Sequence, residues 1–287
     1  AAIAAGIAAG TVFPKDPGFV ACQGVEGSFG QQAADHLFCQ PRILFFQRFA
    51  DVMQAVEKGM CAYGVLPIEN SIAGSVTEVY DQIRQHRFYI VRGVKLRVDH
   101  CLLARPGVKL EQIKEVVSHE QALRQCSHAL EAMKGVRRTA VANTAIAAQQ
   151  VAASNREDVA AIASFACTRL YGLQVLQSGI ANVAGNYTRF ICISRRPEIY
   201  PGANRICLML ALPHAPGALY RLLAGFAALG LNLRKIESRP IPGRDFEFMF
   251  YLTIEGSVRD PEARDLICSL ESTLEVCGFL GNYGEED

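Results

Sequence analysis

Over its first two-thirds the chain alternates two hydrophobic patterns. Continuous apolar runs such as "GFVACQG" (18–24), "ILFF" (43–46) and "CAYGVLPI" (61–68) read as strands covered on both faces, where no polar alternation is needed. Between them "SFGQQAADHLF" (28–38), "ADVMQAVEKG" (50–59) and "SVTEVYDQIRQH" (75–86) space apolar residues as one face of a helix does. "FYIVRGVKLRV" and "HCLLAR" follow as strands. "IKEVVSH" (113–119), "QALRQCSHALEAM" (121–133), "RRTAVA" (137–142), "TAIAAQQVAAS" (144–154), "DVAAIAS" (158–164) and "FACTRLYG" (165–172) continue the alternation to a closing strand, "YTRFICISR" (187–195). Such alternation predicts an α/β unit of parallel sheets covered by helices.

Residues 1–17, opening "AAIAAGIAAGTVF", have neither pattern and read as a linker or disordered lead-in. At the other end "RRPEIYPGANR" (195–205), with two prolines, a Gly and an Asn, suits a linker. Beyond it the order changes. "ICLMLALP" reads as a strand, "PGALYRLLAGFAAL" as a helix, "LNLRKIESRPI" as a strand, "PGRD" as a turn and "FEFMFYLTIEG" as a strand. "PEARDLICSLESTLEV" is then a helix and "GFLGNY" a last short strand. That β-α-β-β-α-β order is the ferredoxin-like pattern and predicts a second domain at 204–287.

Composition narrows the function classes. Half of the 287 residues are hydrophobic, enough for two or three compact units. Formal charge is +1, from 29 basic and 28 acidic residues, with no long run of one sign, so a nucleic-acid partner is not expected. Ten cysteines form no CxxC pair, and several lie in apolar runs; buried free thiols in a reducing, cytoplasmic compartment are expected, and no metal. No stretch approaches the ~20 apolar residues of a membrane span.

Candidate chemistry gathers at helix starts and strand ends. Ser28 with Gln31, Ser75 with Glu78 and Ser118 with Gln121 have the spacing of capping boxes, and Asn143 or Thr144 offers a fourth cap. Capped N-termini either only start helices or, if several converge, receive a small anion with more than one carboxylate. "GNYTRF" (185–190) opens a strand on polar residues: Asn186, Thr188 and Phe190 project to one face and Arg189 to the other. "YGVLPIENSIAGSV" (63–76) breaks from strand into Glu69, Asn70 and Ser71 where a strand hands over to a helix, the usual place for a ligand. His100 and His119 read as structural, and "GVEG" lacks the glycine spacing and Lys-Ser/Thr ending of a phosphate loop. In the last unit "PGALYRL" starts a helix without a side-chain cap, and "KIESRP" puts Glu237 and Arg239 on one strand face and Ser238 on the other.

Taken in order, "QGVEGSF", "GVLPIENSIAGSV", "DHCLL", "SHEQALRQC", "NTAIAAQ", "AAIAS…LYGL" and "NYTRF" resemble the prephenate dehydratases, and "PGALYRL" with "LNLRKIESRP" resembles the phenylalanine-binding ACT domain that follows them. The resemblance covers about residues 19–284. It implies a two-lobed, periplasmic-binding-protein-like dehydratase domain at 18–198 (lobe one about 18–97 and 183–198, lobe two about 98–182) followed by a ferredoxin-like ACT domain at 204–287. It implies conversion of prephenate to phenylpyruvate, or of arogenate to phenylalanine, without cofactor; a non-catalytic amino-acid sensor is the reading from another class. It makes Thr188 the donor to the leaving hydroxyl, with Glu69 an alternative proton source. Asn70, Ser71, Ser75, Ser118, Gln121, Asn143, Thr144, Asn186, Arg189 and Phe190 are expected to line the cleft. Gly217, Ala218, Leu219, Asn232, Glu237, Ser238 and Arg239 are expected to bind L-phenylalanine as a feedback effector at the interface of a homodimer or homotetramer. One departure stands out, Asn182 where the family often has Asp; the common aromatic-Glu-aromatic run of the ACT domain reads "FEF" (246–248), a mild change.

Overall fold

A computed structural model describes residues 1–244 and 247–286. Asp245 and Phe246, in the expected "PGRD" turn and "FEF" run, and Asp287 of the last unit lie outside the described residues. After α1 (Ala2–Ala9) come β1 (Phe19–Gln23), α2 (Phe29–Leu37), β2 (Arg42–Phe46), α3 (Phe49–Glu57), β3 (Tyr63–Asn70), the short β4 (Gly74–Ser75), α4 (Thr77–Ile83) and β5 (Tyr89–Arg97). The chain then builds β6 (Cys101–Ala104), β7 (Glu115–Ser118), α5 (Glu120–Gln125), α6 (Ser127–Ala132), β8 (Arg137–Ala140), α7 (Thr144–Ala153), β9 (Val159–Ala163), α8 (Ala166–Tyr171) and β10 (Gln174–Gln177), and returns on β11 (Tyr187–Ser194). The last part holds β12 (Arg205–Ala211), α9 (Ala218–Ala228), β13 (Leu233–Pro240), β14 (Phe248–Glu255), α10 (Pro261–Thr273), β15 (Val276–Tyr283) and β16 (Glu285–Glu286).

Three sheets result. The first runs β16-β5-β11-β3-β1-β2 with β4 beside β3, the second β10-β6-β9-β7-β8, and the third β13-β14-β12-β15. The sheets of the two lobes are mixed, not parallel as the alternation predicts. β1 pairs in parallel with β2 and β3, and β7 with β8 and β9, but β11 is antiparallel to both β3 and β5. The cause is the path of the chain: it leaves the first lobe after β5 and must come back along β11, and a returning strand enters the sheet the other way round. The architecture is α/β and two-lobed, with a third, antiparallel β-α-β-β-α-β unit.

The third unit shares a core with the first lobe. One face of its sheet, with Cys207, Met249, Tyr251, Leu280 and Tyr283, packs with Ile68, Tyr80 and Ile191. The other face, with Ile206, Leu208, Leu252 and Ile254, lies under Leu222, Phe226 and Ile267 of α9 and α10. Burial of one such side chain is worth about 1.5–3 kcal/mol, so a joint of several holds the two units in one orientation. The approach is close: a Cβ on Gly281 of β15 would lie 2.1 Å from the Ile90 carbonyl oxygen of β5.

Two expected tethers are built into the fold instead. Residues 1–17, expected to be a linker or disordered, carry α1, whose Ile3 is buried in the third unit's core, and the Ile199 N–H donates to the Gly6 carbonyl at 2.9 Å. Gly10 is required there, because a Cβ would sit 2.2 Å from the Ile199 carbonyl oxygen. Phe13 stacks on Phe38 with ring centroids 5.1 Å apart. In the expected linker at 195–205, Glu198 accepts hydrogen bonds from Tyr63 (2.9 Å), Tyr200 (2.5 Å) and Ser194 (2.9 Å). Small apolar residues without period hid the first segment, and prolines masked the second. Among the described residues no helix is long and apolar enough to cross a membrane.

Candidate functional site

The two lobes face each other across a cleft of about 580 Å³. The floor on the first lobe comes from adjacent strands. β3 runs two residues past its apolar stretch, so Asn70 stands beside Thr188 of β11 in register. The register shifts between Arg189 and Phe190, a bulge of the kind that re-aims side chains beside a site. Asn186, Thr188 and Phe190 line the cleft.

Asn70 is held from both ends. Its Oδ1 accepts the N–H groups of Ile72 (3.1 Å) and Ala73 (2.9 Å), which fixes its amide orientation. Its Nδ2 then donates toward Asn186 Oδ1 (2.7 Å), the Tyr187 carbonyl (3.1 Å) and Thr188 Oγ1 (2.9 Å). Because Thr188 accepts from Asn70, the hydroxyl proton of Thr188 is what remains to be offered to the cleft. Asn186 Nδ2 donates to Gln125 Oε1 at 3.2 Å, which also meets His100 Nε2 at 3.1 Å, so a chain of polar groups crosses from β11 to the second lobe.

The second lobe faces this floor with donors. Asn143 caps α7: its Oδ1 accepts the Ile146 N–H at 2.8 Å. Its Nδ2, Gln125 Nε2 and the ring atom His100 Nδ1 are buried with no hydrogen-bond partner. Buried amide donors without partners cost about 1–3 kcal/mol each, so these groups favour an incoming acceptor. Arg124, His119, Gln121 and Thr144 line the same side, and Glu78 is the one carboxylate among the described lining residues. Burial lowers the pKa of both His100 and His119, which keeps them neutral near pH 7. One cationic guanidinium, neutral imidazoles and unpaired amides favour an anion.

Of the residues expected to line the cleft, Asn70, Ser75, Gln121, Asn143, Thr144, Asn186, Thr188 and Phe190 do so. Ser71 turns away and accepts the Tyr187 N–H at 2.9 Å, closing the 185–187 corner. Ser118 is fully buried and donates to the Ile162 carbonyl at 2.6 Å; the cap of α5 is His119, which accepts the Gln121 N–H at 3.3 Å. Ser75 caps nothing: the N-cap of α4 is Val76, and the Ser75 hydroxyl donates to Glu237 at 2.5 Å and accepts from Lys235 at 2.7 Å. Glu69 and Arg189 are corrections of the same kind. They are cross-strand partners on the back face of the sheet, where they pair with each other and face the third unit. Strand alternation turns Glu69 away when Asn70 faces the cleft, so it is not a proton source for a cleft ligand. Ser28 does cap α2, accepting the Gln31 N–H at 3.3 Å.

Sequence reasoning passed over His100, Gln125 and Arg124 as site residues. Gln125 stands four positions after Gln121, on the same helix face, which is the signal that finds it. Asn182 pins the returning segment to the α5–α6 corner: Nδ2 donates to Ser127 Oγ (2.9 Å) and Oδ1 accepts the His128 N–H (3.0 Å).

The expected effector residues are divided. Ala218 and Leu219 line a second cavity of about 400 Å³ with Pro213, His214, Phe248 and Phe250, and Gly217 caps α9 with φ 77°. Ser238 is exposed on the α9 side of β13. Asn232 pairs with Glu255 at 2.8 Å. Glu237 and Arg239 face the first lobe, Glu237 on Ser75 and Arg239 bidentate to Asp81 at 2.8 Å. Within one chain these residues do not form a single site.

Comparison with known proteins adds three findings. The family model described as prephenate dehydratase matches residues 20–198. The chain is 39% identical over 276 residues to "Arogenate dehydratase/prephenate dehydratase 2, chloroplastic" of Arabidopsis thaliana, covering 92% of this chain and 72% of that protein. Among solved structures it is similar to the prephenate dehydratase of Arthrobacter aurescens in complex with L-Phe (TM-score 0.85, 29% identity, 93% of this chain and 90% of that one) and to GqqA, described as a novel type of quorum quenching acylases (TM-score 0.83, 29% identity, 92% and 97%).

Proposed function

The chain belongs to the prephenate dehydratase family, a family of lyase-type dehydratases of phenylalanine biosynthesis, and we propose that its own substrate is prephenate, which it converts to phenylpyruvate, carbon dioxide and water. One observation carries this reading: the Thr188 hydroxyl, oriented by Asn70, stands in the same cleft as the unpartnered amide donors of Gln125 and Asn143. Two carboxylates meet donors at the cleft walls while a hydroxyl leaves near Thr188.

The ring carboxylate departs as CO2, its bonding pair enters the ring, and the carbon–oxygen bond to the ring hydroxyl breaks. The hydroxyl leaves with its bonding pair and takes a proton from solvent to become water, and the ring becomes aromatic. A threonine is a weak acid, so its part is a directed hydrogen bond that strengthens as charge grows on the leaving oxygen. Gln125, Asn143 and the N-terminus of α7 hold the carboxylates and fix the geometry. Asn186 and His100 set the Gln125 amide.

Arogenate is the second reading, favoured by the names of the plant relatives. It adds an ammonium, for which Glu78 is the available counter-charge among the described lining residues. Steady-state rates on both substrates separate the two; a higher kcat/KM on arogenate overturns the choice of prephenate. The sensor reading receives no support from the family membership.

Phenylalanine is proposed as effector of the third unit, read as an ACT domain, with Gly217, Ala218, Leu219 and Ser238 of one copy completed by another copy in a homodimer or homotetramer. The Arthrobacter relative with L-Phe supports it. The expected cytoplasmic location is joined by a plastid one, which the chloroplastic plant relatives favour. A fluorescent fusion in the source cell decides between them.

A further inference from the structure

Behind the strand that carries Thr188, on the back face of the sheet, lies a charged cluster. Arg189 points to the back face and is gripped by two carboxylates, Glu69 of β3 and Glu285 of β16. Glu285 comes from the far end of the chain. It follows the last strand of the third unit, yet β16 joins the first lobe's sheet, parallel to β5, with Glu285 opposite Gly93 and the Gly93 N–H donating to the Gly284 carbonyl at 2.9 Å. The Glu285 side chain is 6% exposed, and it also meets Arg205 at 2.8 Å. Lys235 closes the cluster, 2.5 Å from Glu69. Three cations thus surround two carboxylates, and Arg205 Nε is buried without a partner. Burial opposes the charge on Arg189, but the hydrogen bond and charge of Glu285 outweigh it and hold its pKa above the ordinary arginine value.

We propose that Glu285 is a positioning residue of the cleft: by holding Arg189 from behind, together with Glu69, it sets how Thr188 is presented on the opposite face of β11. The inference rests on the role of Thr188 given above. The reason is local. β5 pairs with β11 in continuous register from Tyr187 to Cys192, but on the other side the ladder between β3 and β11 slips between Arg189 and Phe190, so the join of β11 to β3 is irregular at this point. The clamp on Arg189 ties β11 to Glu69 of β3 across that slip, one residue from Thr188. Neutralising Glu285 leaves Arg189, Arg205 and Lys235 around a single carboxylate, and the guanidinium of Arg189 is pushed out of its place by like charge.

The experiment compares Glu285→Gln with Glu286→Gln. Glu286, the next residue of β16, pairs with Arg92 of β5 at 2.6 Å instead of with Arg189, so it reports what loosening β16 does by itself. Wild type, both variants and Glu285→Asp, which keeps the charge, are assayed on prephenate and arogenate, and hydrogen exchange is followed in the peptide spanning residues 185–194. Expected are a fall in kcat of about 10-fold for Glu285→Gln with KM changed less than about 3-fold, partial recovery in Glu285→Asp, and kcat within about 2-fold of wild type for Glu286→Gln. Exchange in 185–194 accelerates about 10-fold in Glu285→Gln alone. Equal losses in the two Gln variants, a loss confined to KM, or unchanged exchange in 185–194 overturns the proposal. A wild type that turns over neither substrate overturns the functional reading instead, and the exchange result still decides whether Glu285 holds this strand.

Discussion

Replacing Thr188 with Val separates the chemistry of its hydroxyl from its place in the fold. Valine keeps the branched shape and suits a strand, so what is lost is the oxygen. The structure sets the stability cost. Thr188 Oγ1 is one of three acceptors around Asn70 Nδ2; Asn186 Oδ1 at 2.7 Å and the Tyr187 carbonyl at 3.1 Å remain, so no donor is orphaned. The loss is that of one neutral hydrogen bond, about 1 kcal/mol. The kinetic cost is larger, because a hydrogen bond to the leaving oxygen strengthens only as the carbon–oxygen bond breaks. Loss of one positioned hydrogen-bond donor costs about 10²–10³-fold, or about 3–4 kcal/mol at 1.36 kcal/mol per decade. Thr188→Val is expected to lower kcat by at least about 100-fold with KM within about 3-fold, and Thr188→Ser to recover most of the rate. Release of phenylpyruvate gives the rate, and urea unfolding gives the stability. A Val variant within 10-fold of wild type in kcat, or one whose loss of rate follows its loss of folded protein, refutes the assignment.

Asn143→Asp should move stability and binding in opposite directions: the carboxylate still accepts the Ile146 N–H and favours the start of α7, but it replaces the unpaired Nδ2 donor with a like charge for a substrate carboxylate. Unfolding midpoints at or above wild type with KM raised about 30-fold or more are expected; an unchanged KM removes Asn143 from the site. Glu115, buried at the second-lobe rim, has its pKa held down at about 2 by Arg137, Thr139 and Arg156, below the ~4.3 of an unfolded chain. Its contribution is therefore full above about pH 4.3 and is lost as pH falls from there toward 2. Glu115→Gln should be less stable than wild type by about 1–3 kcal/mol at pH 7, with the gap narrowing between pH 5 and 3 in urea titrations; a constant gap contradicts the ion-pair account. Millimolar L-phenylalanine should raise the thermal midpoint, and no shift at that concentration counts against an effector site around Gly217–Leu219.

The order of strands and helices was legible because period two, period 3.6 and continuous apolar runs are properties of each segment by itself. Even so, α1, β10 and β16 were hidden. Alanines have no period to display in α1, and "QVLQ" and "EE" are too short to carry one. The errors at Ser118 and Glu69 share one physical root, an offset of one or two residues. Ser118 and His119 are neighbours, and moving the helix start by one residue makes the imidazole the cap and sends the serine into the core. β3 continues past Ile68, so Glu69 and Asn70 alternate faces instead of sharing a loop. On a strand, adjacent residues serve opposite sides, and only register decides which residue belongs to which. That same geometry gives the misplaced pair its meaning. Glu69 and Arg189 are one peptide away from Asn70 and Thr188, so a charge set by the last residues of the chain acts within one peptide unit of the cleft. No spacing within either motif predicts this, because Glu285 reaches Arg189 across 96 positions of sequence.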